Sequence, residues 1–300
     1  MRDRPAGDMT DEAHQPLGHR ALGSVLRAEP LGVMTRLEVE VPGWCSAEPG
    51  QFALLQAEPS GCFLARAISV ADEAGGRVSF LVASVGEGTR ELCALAEGDL
   101  VWVLGPLGKG FDVDALVTSP GRAVIVAGGV GVAPFPLLLT RMAQRYHALF
   151  PEPTGQEPGS PEAAGPEVLV LLGFRDVVQA EASAPLREVA ARMGEAGLRC
   201  RVEVATEDGS RGPAEKVTDL LARHLRSGDR VAVCGPVPMA EAVWSICASV
   251  PDVDTWFSLE TGMACGVGSC HGCLVTLADG SDARVCRDGP VFPGEAVFGA

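Results

Sequence analysis

The chain has 300 residues and a mass of 31.1 kDa, which leaves room for two domains because single hydrophobic cores stop growing near this size. Its 24 Lys and Arg residues against 39 Asp and Glu residues give a formal charge of −15, which argues against binding to a nucleic-acid backbone. Ten cysteines are too dilute for a secreted disulfide scaffold, and the charged segment 1–20 lacks the apolar stretch of a signal peptide. We therefore expect a soluble, cytoplasmic protein.

The most apolar part of the chain spans residues 123–139, but three glycines and two prolines interrupt it. That interruption favours a buried strand, a turn and the start of a helix over a membrane span. We therefore expect no membrane-spanning segment.

The N-terminal third is predicted to be an antiparallel β-barrel. Residues 1–20 lack periodicity and are predicted to be a tail. From residue 21 to about 117, short β-rich runs alternate with turn signals such as Pro49-Gly50. The clearest strands are predicted at 36–41 and 77–82.

From about residue 118 to 254 the pattern changes to a parallel α/β domain. Continuous apolar runs at 124–126, 168–171 and 231–233, with a weaker run at 201–204, predict strands that are buried on both faces. Helical patterns lie between them, at 137–146, 185–193 and 215–224. Residues 151–166 are rich in proline, glycine and glutamate and are predicted to be a solvated loop.

Residues 255–300 are predicted to be a small cofactor module, because four of the ten cysteines fall within 22 residues. Their pattern is Cys265-x4-Cys270-x2-Cys273-x12-Cys286, and the first two spacings are those of plant-type [2Fe–2S] ligation. Structural zinc sites usually show two C-x2–4-C pairs, and only one such pair occurs here. The cysteines therefore predict a [2Fe–2S] cluster, with His271 an exposed loop residue.

A glycine-rich turn follows the first strand of the α/β domain. Its candidate nucleotide-binding residues are Gly128, Gly129, Gly131 and Pro134. Glycines after a strand often serve only as a turn, but at the first strand of a parallel sheet they favour a nucleotide site at the helix N-terminus. Cys234, Gly235 and Pro236 end another strand at the same edge, although Cys234 alone is equally compatible with a small buried hydrophobe.

The barrel carries fragments that suit a dinucleotide. Arg66 can pair with a phosphate, and Ser69 can hydrogen-bond a ring nitrogen. Gly88 and Thr89 offer backbone amides and a hydroxyl to an anion. These fragments fit the cluster and the nucleotide site together, since a flavin can convert between hydride exchange with a nicotinamide and single-electron exchange with a cluster.

Taken with these motifs, the chain resembles the electron transfer subunits of NAD-dependent (class 1B) dihydroorotate dehydrogenases, which belong to the ferredoxin–NADP reductase superfamily. The resemblance implies an N-terminal antiparallel β-barrel FAD domain (21–117), a parallel-sheet α/β NAD-binding domain (118–254) and a C-terminal [2Fe–2S] module (255–300). It places a flavin motif at 66–69, a second flavin strand at 81–83, and the cluster ligands on the four cysteines. The implied flavin-contacting residues are Arg66, Ala67, Ile68, Ser69, Leu81, Val82, Ala83, Gly88 and Thr89.

The resemblance also implies a partner and a direction of electron flow. A separate FMN-containing catalytic subunit would oxidise dihydroorotate in pyrimidine biosynthesis, in a heterotetramer with this chain. Electrons would then pass through the cluster and FAD to NAD+, and no residue of this chain is expected to act as a catalytic acid, base or nucleophile. Ala67 replaces the usual proline of the family, and Ile68 a tyrosine common in the superfamily.

Two alternatives remain open at this level. The same sequence of cofactors, with a cluster, a flavin and a nicotinamide, would suit a flavin/[2Fe–2S] reductase subunit that serves ferredoxin or a hydrogenase. Such subunits would differ from one another only in the surface that docks to the partner protein. A zinc-stabilised, non-catalytic binding protein is the alternative from a different class.

Overall fold

The computed structural model describes residues 18–118, 121–150 and 167–299. The expected tail therefore lies almost wholly outside the described residues, as does the expected loop at 151–166. The first strand begins at His19, two residues before the expected start of the barrel domain.

Six antiparallel strands close into a barrel with the spatial order β1-β2-β5-β4-β3-β6. The strands are β1 (His19–Leu31), β2 (Met34–Glu40), β3 (Phe52–Glu58), β4 (Arg66–Ala74), β5 (Arg77–Ala83) and β6 (Leu100–Leu107). The runs predicted at 36–41 and 77–82 correspond to β2 and β5. Alternation is visible in β2, where Leu37 and Val39 are fully buried inside the barrel. A short helix, α1 (Glu87–Cys93), connects β5 to β6.

The α/β domain that follows the barrel is built on a six-stranded sheet with the order β14-β11-β10-β7-β8-β9. Its parallel strands are β7 (Ala123–Gly128), β8 (Glu167–Phe174), β9 (Arg199–Thr206), β10 (Arg230–Cys234) and β11 (Asp254–Ser258). The described helices of this domain are α2 (Val113–Thr118), α3 (Phe135–Leu149), α4 (Val177–Ala180), α5 (Ala184–Arg192), α6 (Val217–His224) and α7 (Val237–Ala248). The four predicted strands and three predicted helices of this domain are all present.

The C-terminal module continues directly from the sheet. It contains a hairpin of β12 (Leu274–Thr276) and β13 (Asp282–Arg284), followed by β14 (Val291–Pro293) and α8 (Gly294–Phe298). Strand β14 pairs antiparallel with β11, with Phe292 opposite Phe257. The segment between β11 and β14, which carries the four predicted cluster cysteines, is therefore anchored at both of its ends to the edge of the α/β sheet.

The barrel and the sheet share buried surface. Met34 and Leu81 of the barrel belong to the same apolar core as Phe135 and Leu138 of α3. Leu137, from the same helix, packs into the barrel core. Because both cores use α3, the helix that follows the glycine-rich turn holds the two domains together.

Candidate functional site: a cysteine loop, a barrel motif and an interdomain cleft

The four predicted cluster cysteines converge at one place. Cys265, Cys270 and Cys273 lie on the loop between β11 and β12, and Cys286 lies in the turn after β13. The amide of Cys270 donates to Sγ of Cys265 at 3.4 Å, and the amide of Cys286 donates to Sγ of Cys273 at 3.5 Å. The four thiols are therefore arranged as two neighbouring pairs.

Backbone amides surround these sulfurs. The amide of Gly268 donates to Sγ of Cys286 at 3.1 Å, and the amide of Gly272 donates to Sγ of Cys270 at 3.4 Å. Gly266 and Gly268 have φ values of 68° and 80°, so they adopt the left-handed conformation that glycine tolerates best. His271 is exposed on the same loop. The loop thus places amide donors next to sulfur, as a cluster with bridging sulfides requires.

The electrostatic environment of the loop favours the thiolate form of Cys265. Desolvation alone would raise the pKa of Cys265, but the amides of Cys270, Val267 and Ser269 donate towards its sulfur and lower its pKa from 9.0 to about 7. Burial raises the pKa of Cys286 to about 12, with a further contribution from Cys273. Ligation removes both protons, so this difference applies to the cluster-free chain.

Among residues 18–118, 121–150 and 167–299, no three His, Cys, Asp or Glu side chains are grouped closely enough to hold a single metal ion. Two neighbouring cysteine pairs are a donor set in which each pair could serve one of two irons. This arrangement is compatible with the two-iron cluster that the cysteine spacing predicts.

The cysteine loop packs against the barrel beside the predicted flavin motif. A Cβ atom on Gly266 would lie 2.8 Å from Cδ1 of Leu54, on strand β3. Leu54 pairs directly with Ala67 of β4, and both belong to the apolar cluster that includes Cys273 and Cys286. The loop and the 66–69 motif are therefore separated by a single strand.

Arg66 lies against the N-terminal turn of α1. Its guanidinium donates to the carbonyl of Leu64 at 2.6 Å and covers the Cα of Gly88. The Thr89 hydroxyl accepts hydrogen bonds from the amides of Val85 and Gly86, so it caps its own turn. Arg66 and Gly88 are thus in contact, whereas the Thr89 hydroxyl is already engaged within its own turn.

The remaining barrel residues of the predicted site differ in how far their side chains are buried. Ala67, Ile68 and Ser69 are half-buried on β4. On β5, Leu81 and Val82 are buried in two different cores, so their side chains face away from a ligand. Ala83 is half-buried and lines the interdomain cleft. Leu81 and Val82 can therefore contact a flavin only through their backbone.

A cleft of about 750 Å³ lies between the barrel and the carboxyl edge of the parallel sheet. Of the predicted nucleotide residues, Gly128, Gly129 and Pro236 line it. Gly131 does not; a Cβ there would come 2.2 Å from the carbonyl oxygen of Cys234. Gly131 therefore permits the close approach of the turn to β10 that forms the cleft floor.

Pro134, Cys234 and Gly235 also lie outside the cleft lining. Pro134 precedes the first residue of α3, and Gly235 faces Met239. Burial, and to a lesser degree the charge of Glu260, raises the pKa of the Cys234 thiol, which also hydrogen-bonds Ser258. Cys234 is thus a neutral buried thiol beneath the edge of the sheet.

Several charged residues near the cleft had not been singled out from the sequence. Arg175, Glu207 and Lys216 line the cleft beyond the ends of β8 and β9. Glu260, after β11, is open to solvent, yet burial raises its pKa, so its carboxyl lies in a recess. The signal that could have identified Arg175 and Glu207 is their position three or four residues after the strands predicted at 168–171 and 201–204.

No helix in the described part of the chain is long and apolar enough to cross a membrane. All ten cysteines lie in that part, and all are unpaired.

Two known families match the chain. The family described as the iron–sulfur cluster binding domain of dihydroorotate dehydrogenase B matches residues 260–298. The family described as the oxidoreductase NAD-binding domain matches residues 125–244. The first match contains all four loop cysteines, and the second contains the glycine-rich turn and Cys234.

Curated relatives match most of the chain. The electron transfer subunit of dihydroorotate dehydrogenase B (NAD(+)) from Listeria monocytogenes serovar 1/2a is 35% identical over 266 residues, which cover 87% of this chain and 92% of that protein. The subunit of the same name from Geobacillus kaustophilus is 34% identical over 257 residues, covering 84% and 87%.

Solved structures show the same fold. A chain of an NADH-dependent reduced ferredoxin-NADP oxidoreductase superposes with a TM-score of 0.66 at 26% identity, covering 92% of this chain and 89% of that one. The ferredoxin reductase of carbazole 1,9a-dioxygenase superposes with a TM-score of 0.58 at 18% identity, covering 79% and 68%. These neighbours confirm the predicted barrel and α/β architecture of the ferredoxin–NADP reductase superfamily.

Proposed function

The chain belongs to the family of dihydroorotate dehydrogenase B electron transfer subunits, and we propose that it carries electrons from a [2Fe–2S] cluster through FAD to NAD+ in pyrimidine biosynthesis. The observation that carries this proposal is the contact of the cysteine loop with strand β3, directly beside the 66–69 motif. A bound flavin supplies the conversion between hydride and single-electron chemistry. The protein is thus an oxidoreductase component with FAD, [2Fe–2S] and NAD as its cofactors.

We assign the cluster to Cys265, Cys270, Cys273 and Cys286. The two neighbouring pairs of cysteines, and the amides that donate to their sulfurs, are groups that would hold a [2Fe–2S] cluster. Apolar contacts that include Leu54 and Ala67 hold this loop against the barrel beside the flavin motif.

For FAD, we assign phosphate recognition to Arg66 together with the amides of Gly88 and Thr89. In the described part of the chain, the hydrogen-bond acceptors of Arg66 are the carbonyls of Leu64 and Ala65. The nearby Glu91 carboxylate interacts with the charge of Arg66 but accepts its hydrogen bonds from Ser60 and the amide of Gly61, so the guanidinium can still donate to an anion beside Gly88. Ser69 is assigned to the isoalloxazine ring, since its strand β4 pairs with β3, which contacts the cysteine loop.

For the nicotinamide nucleotide, we assign the interdomain cleft. Gly128, which is buried, and Gly129 line the cleft at the carboxyl end of β7, where open α/β sheets bind ligands. Gly131, Pro134, Cys234 and Gly235 act beneath them by setting the shape of this edge. The barrel residues Ala83, Ser84 and Val85 close the opposite wall.

We further propose that an FMN-containing catalytic subunit oxidises dihydroorotate and docks beside the cysteine loop, in a heterotetramer. The names of the curated relatives support such a partner, because each is a subunit for electron transfer. Cys270 and His271 are exposed at the tip of the loop, where electrons can enter. Ten unpaired thiols support a reducing, cytoplasmic location.

A second candidate function is a subunit that exchanges electrons with ferredoxin, favoured by the likeness to the NADH-dependent reduced ferredoxin-NADP oxidoreductase. Affinity purification from the native cell decides between them. Co-purification of an FMN-containing dihydroorotate dehydrogenase supports the first function, and a ferredoxin-type partner supports the second.

The relay itself is tested by anaerobic titration of the purified chain with NADH. We expect bleaching of the flavin absorption, followed by the electron paramagnetic resonance signal of a reduced [2Fe–2S] cluster. Iron and acid-labile sulfide should be present in equal amounts. A colourless protein that contains zinc but no sulfide would contradict the proposal.

A further inference from the structure

The turn that carries Cys286 is basic, although the chain as a whole has a formal charge of −15. Arg284, Arg287 and Asp288 all lie within two residues of this cysteine. The guanidinium of Arg284 donates to both oxygens of the Asp288 carboxylate, at 3.1 and 3.3 Å, and the Arg284 amide donates to it at 2.8 Å. With two arginines and one aspartate, the turn carries more positive than negative charge.

The side chain of Arg287 lies against the loop that holds the other three cysteines. A Cβ atom on Gly268 would lie 3.1 Å from Cδ of Arg287 and 3.3 Å from its Cβ. Gly268 is buried, and its amide donates to Sγ of Cys286 at 3.1 Å. The aliphatic stem of Arg287 therefore covers the residue that donates to a predicted cluster sulfur.

The charged end of Arg287 stays close to this contact. Its guanidinium begins at the atom after Cδ, and the residue as a whole is exposed. A stem packed on protein with its charge in water is the usual arrangement of a long basic side chain. The positive charge is thus held beside the Cys286 sulfur, where water and salt screen it only in part.

A fixed positive charge at this place acts unequally on the two redox states of a cluster. The thiolates and sulfides of a [2Fe–2S] cluster outweigh the charge of its irons, and reduction adds one more negative charge. Coulomb attraction to Arg287 therefore stabilises the reduced state more than the oxidised state. The amide of Gly268 acts in the same direction, because a hydrogen bond to sulfur strengthens as the sulfur becomes more negative.

We propose that Arg287 raises the reduction potential of the cluster, through its charge and through the contact of its stem with Gly268. The proposal rests on the cluster assigned in the function proposed above. A higher potential makes electron entry into the cluster more favourable and transfer onward to the flavin less favourable. Arg287 therefore sets the balance between the two transfers.

The test is the midpoint potential of the cluster, from a redox titration of the purified chain followed by electron paramagnetic resonance. Arg287→Met keeps an unbranched stem and removes the charge. We expect the ratio of oxidised to reduced cluster at a fixed potential to rise roughly three- to tenfold, which corresponds to a fall of roughly 30–60 mV in the midpoint for a one-electron couple. Arg287→Lys should keep the native midpoint, and the difference between Arg287→Met and the native chain should shrink at high salt concentration.

The matched control is Arg77→Met, which removes the same charge from another exposed arginine. Arg77 begins β5 and pairs with Ala74, at the end of β4 that is opposite to the 66–69 motif. This variant should leave the midpoint potential unchanged. Iron, acid-labile sulfide and FAD contents are measured for every variant, and Arg287→Gln takes the place of Arg287→Met if the latter lacks iron.

An unchanged midpoint in Arg287→Met with full iron content would overturn the role of Arg287 and leave the relay intact. The same conclusion would follow from an equal shift in Arg77→Met, or from a midpoint in Arg287→Lys as low as that in Arg287→Met. Loss of iron from both Arg287→Met and Arg287→Gln would show that the residue serves cluster assembly, and would also overturn the proposal. A native chain without iron and sulfide would overturn the assigned function and this inference with it.

Discussion

The guanidinium of Arg66 rests on the Cα of Gly88: a Cβ atom added there would lie 2.6 Å from Nε of Arg66 and 2.7 Å from its Cζ. Residue 88 therefore has to lack a side chain for the arginine to keep its position at the start of α1. The barrel strand β4 and the helix α1 meet at this contact, and we assign the FAD phosphates to the same place.

Gly88→Ala should weaken FAD binding, because the added methyl group displaces the guanidinium. An overpacked contact typically costs about 1–3 kcal/mol, which corresponds to a loss of roughly 5- to 150-fold in affinity. The measurement is the dissociation constant of FAD by fluorescence quenching. The matched control is Gly86→Ala, in the same turn, where a Cβ would meet nothing within 4 Å; equal losses in both variants would contradict the explanation.

Arg66→Ala should also release FAD, for a different reason. It removes a charge-assisted hydrogen bond, which is worth about 1.5–3 kcal/mol. Unlike Gly88→Ala, this loss should diminish at high salt concentration, because the native contact is itself screened. Full FAD occupancy in Arg66→Ala at low flavin concentration would refute the assignment.

The sequence alone predicted those features that depend on residues close to one another in the chain. The four cysteines lie within 22 residues, and their spacing alone predicts the kind of cluster. The buried run of β7 and the alternation of β2 likewise identify their layers, because burial on both faces or on one face leaves a different pattern.

Features that depend on distant contacts could not be predicted in this way. Strand β14 has only three residues, too few to show a period, and it exists because Phe292 finds its partner Phe257 in β11. The position of Glu207 at the cleft depends on the strand order of the whole sheet. The engagement of the Thr89 hydroxyl within its own turn also required the folded geometry.

Cys270→Ser should remove the cluster and leave most of the flavin bound. Cys270 is exposed on the loop, whereas Arg66 and Gly88 contact each other within the barrel. Iron, acid-labile sulfide and flavin content of the purified variant are the measurements. Cys45→Ser, at another exposed cysteine, is the control and should keep both cofactors; loss of all flavin from Cys270→Ser would argue against separate sites.

Asp229→Asn should strongly destabilise the α/β domain. Asp229 is 2% exposed and accepts two hydrogen bonds from Arg122, at 3.1 and 2.8 Å. Loss of its charge leaves the guanidinium of Arg122 with the more distant Glu167 carboxylate, at 3.9 Å, as its counter-charge, and removing one partner of a buried ion pair costs about 3–5 kcal/mol. Urea unfolding measures this loss in the free energy of unfolding. Asp254→Asn breaks the exposed pair with Arg230 and should cost at most about 1 kcal/mol.

Asp72→Asn should stabilise the protein at neutral pH. Desolvation raises the pKa of Asp72 above 3.8, although the amide of Glu73, the Thr140 hydroxyl, Arg192 and Arg141 act in the opposite direction. A carboxyl with a raised folded-state pKa destabilises the fold once it ionises, so the cost is present above that pKa and absent below 3.8. The gain in unfolding free energy should therefore be largest at pH 7 and shrink as the pH falls towards 4. Asp114→Asn should show the opposite sign at pH 7, because hydrogen bonding from Arg145 lowers the pKa of Asp114; the same sign in both variants would contradict this account.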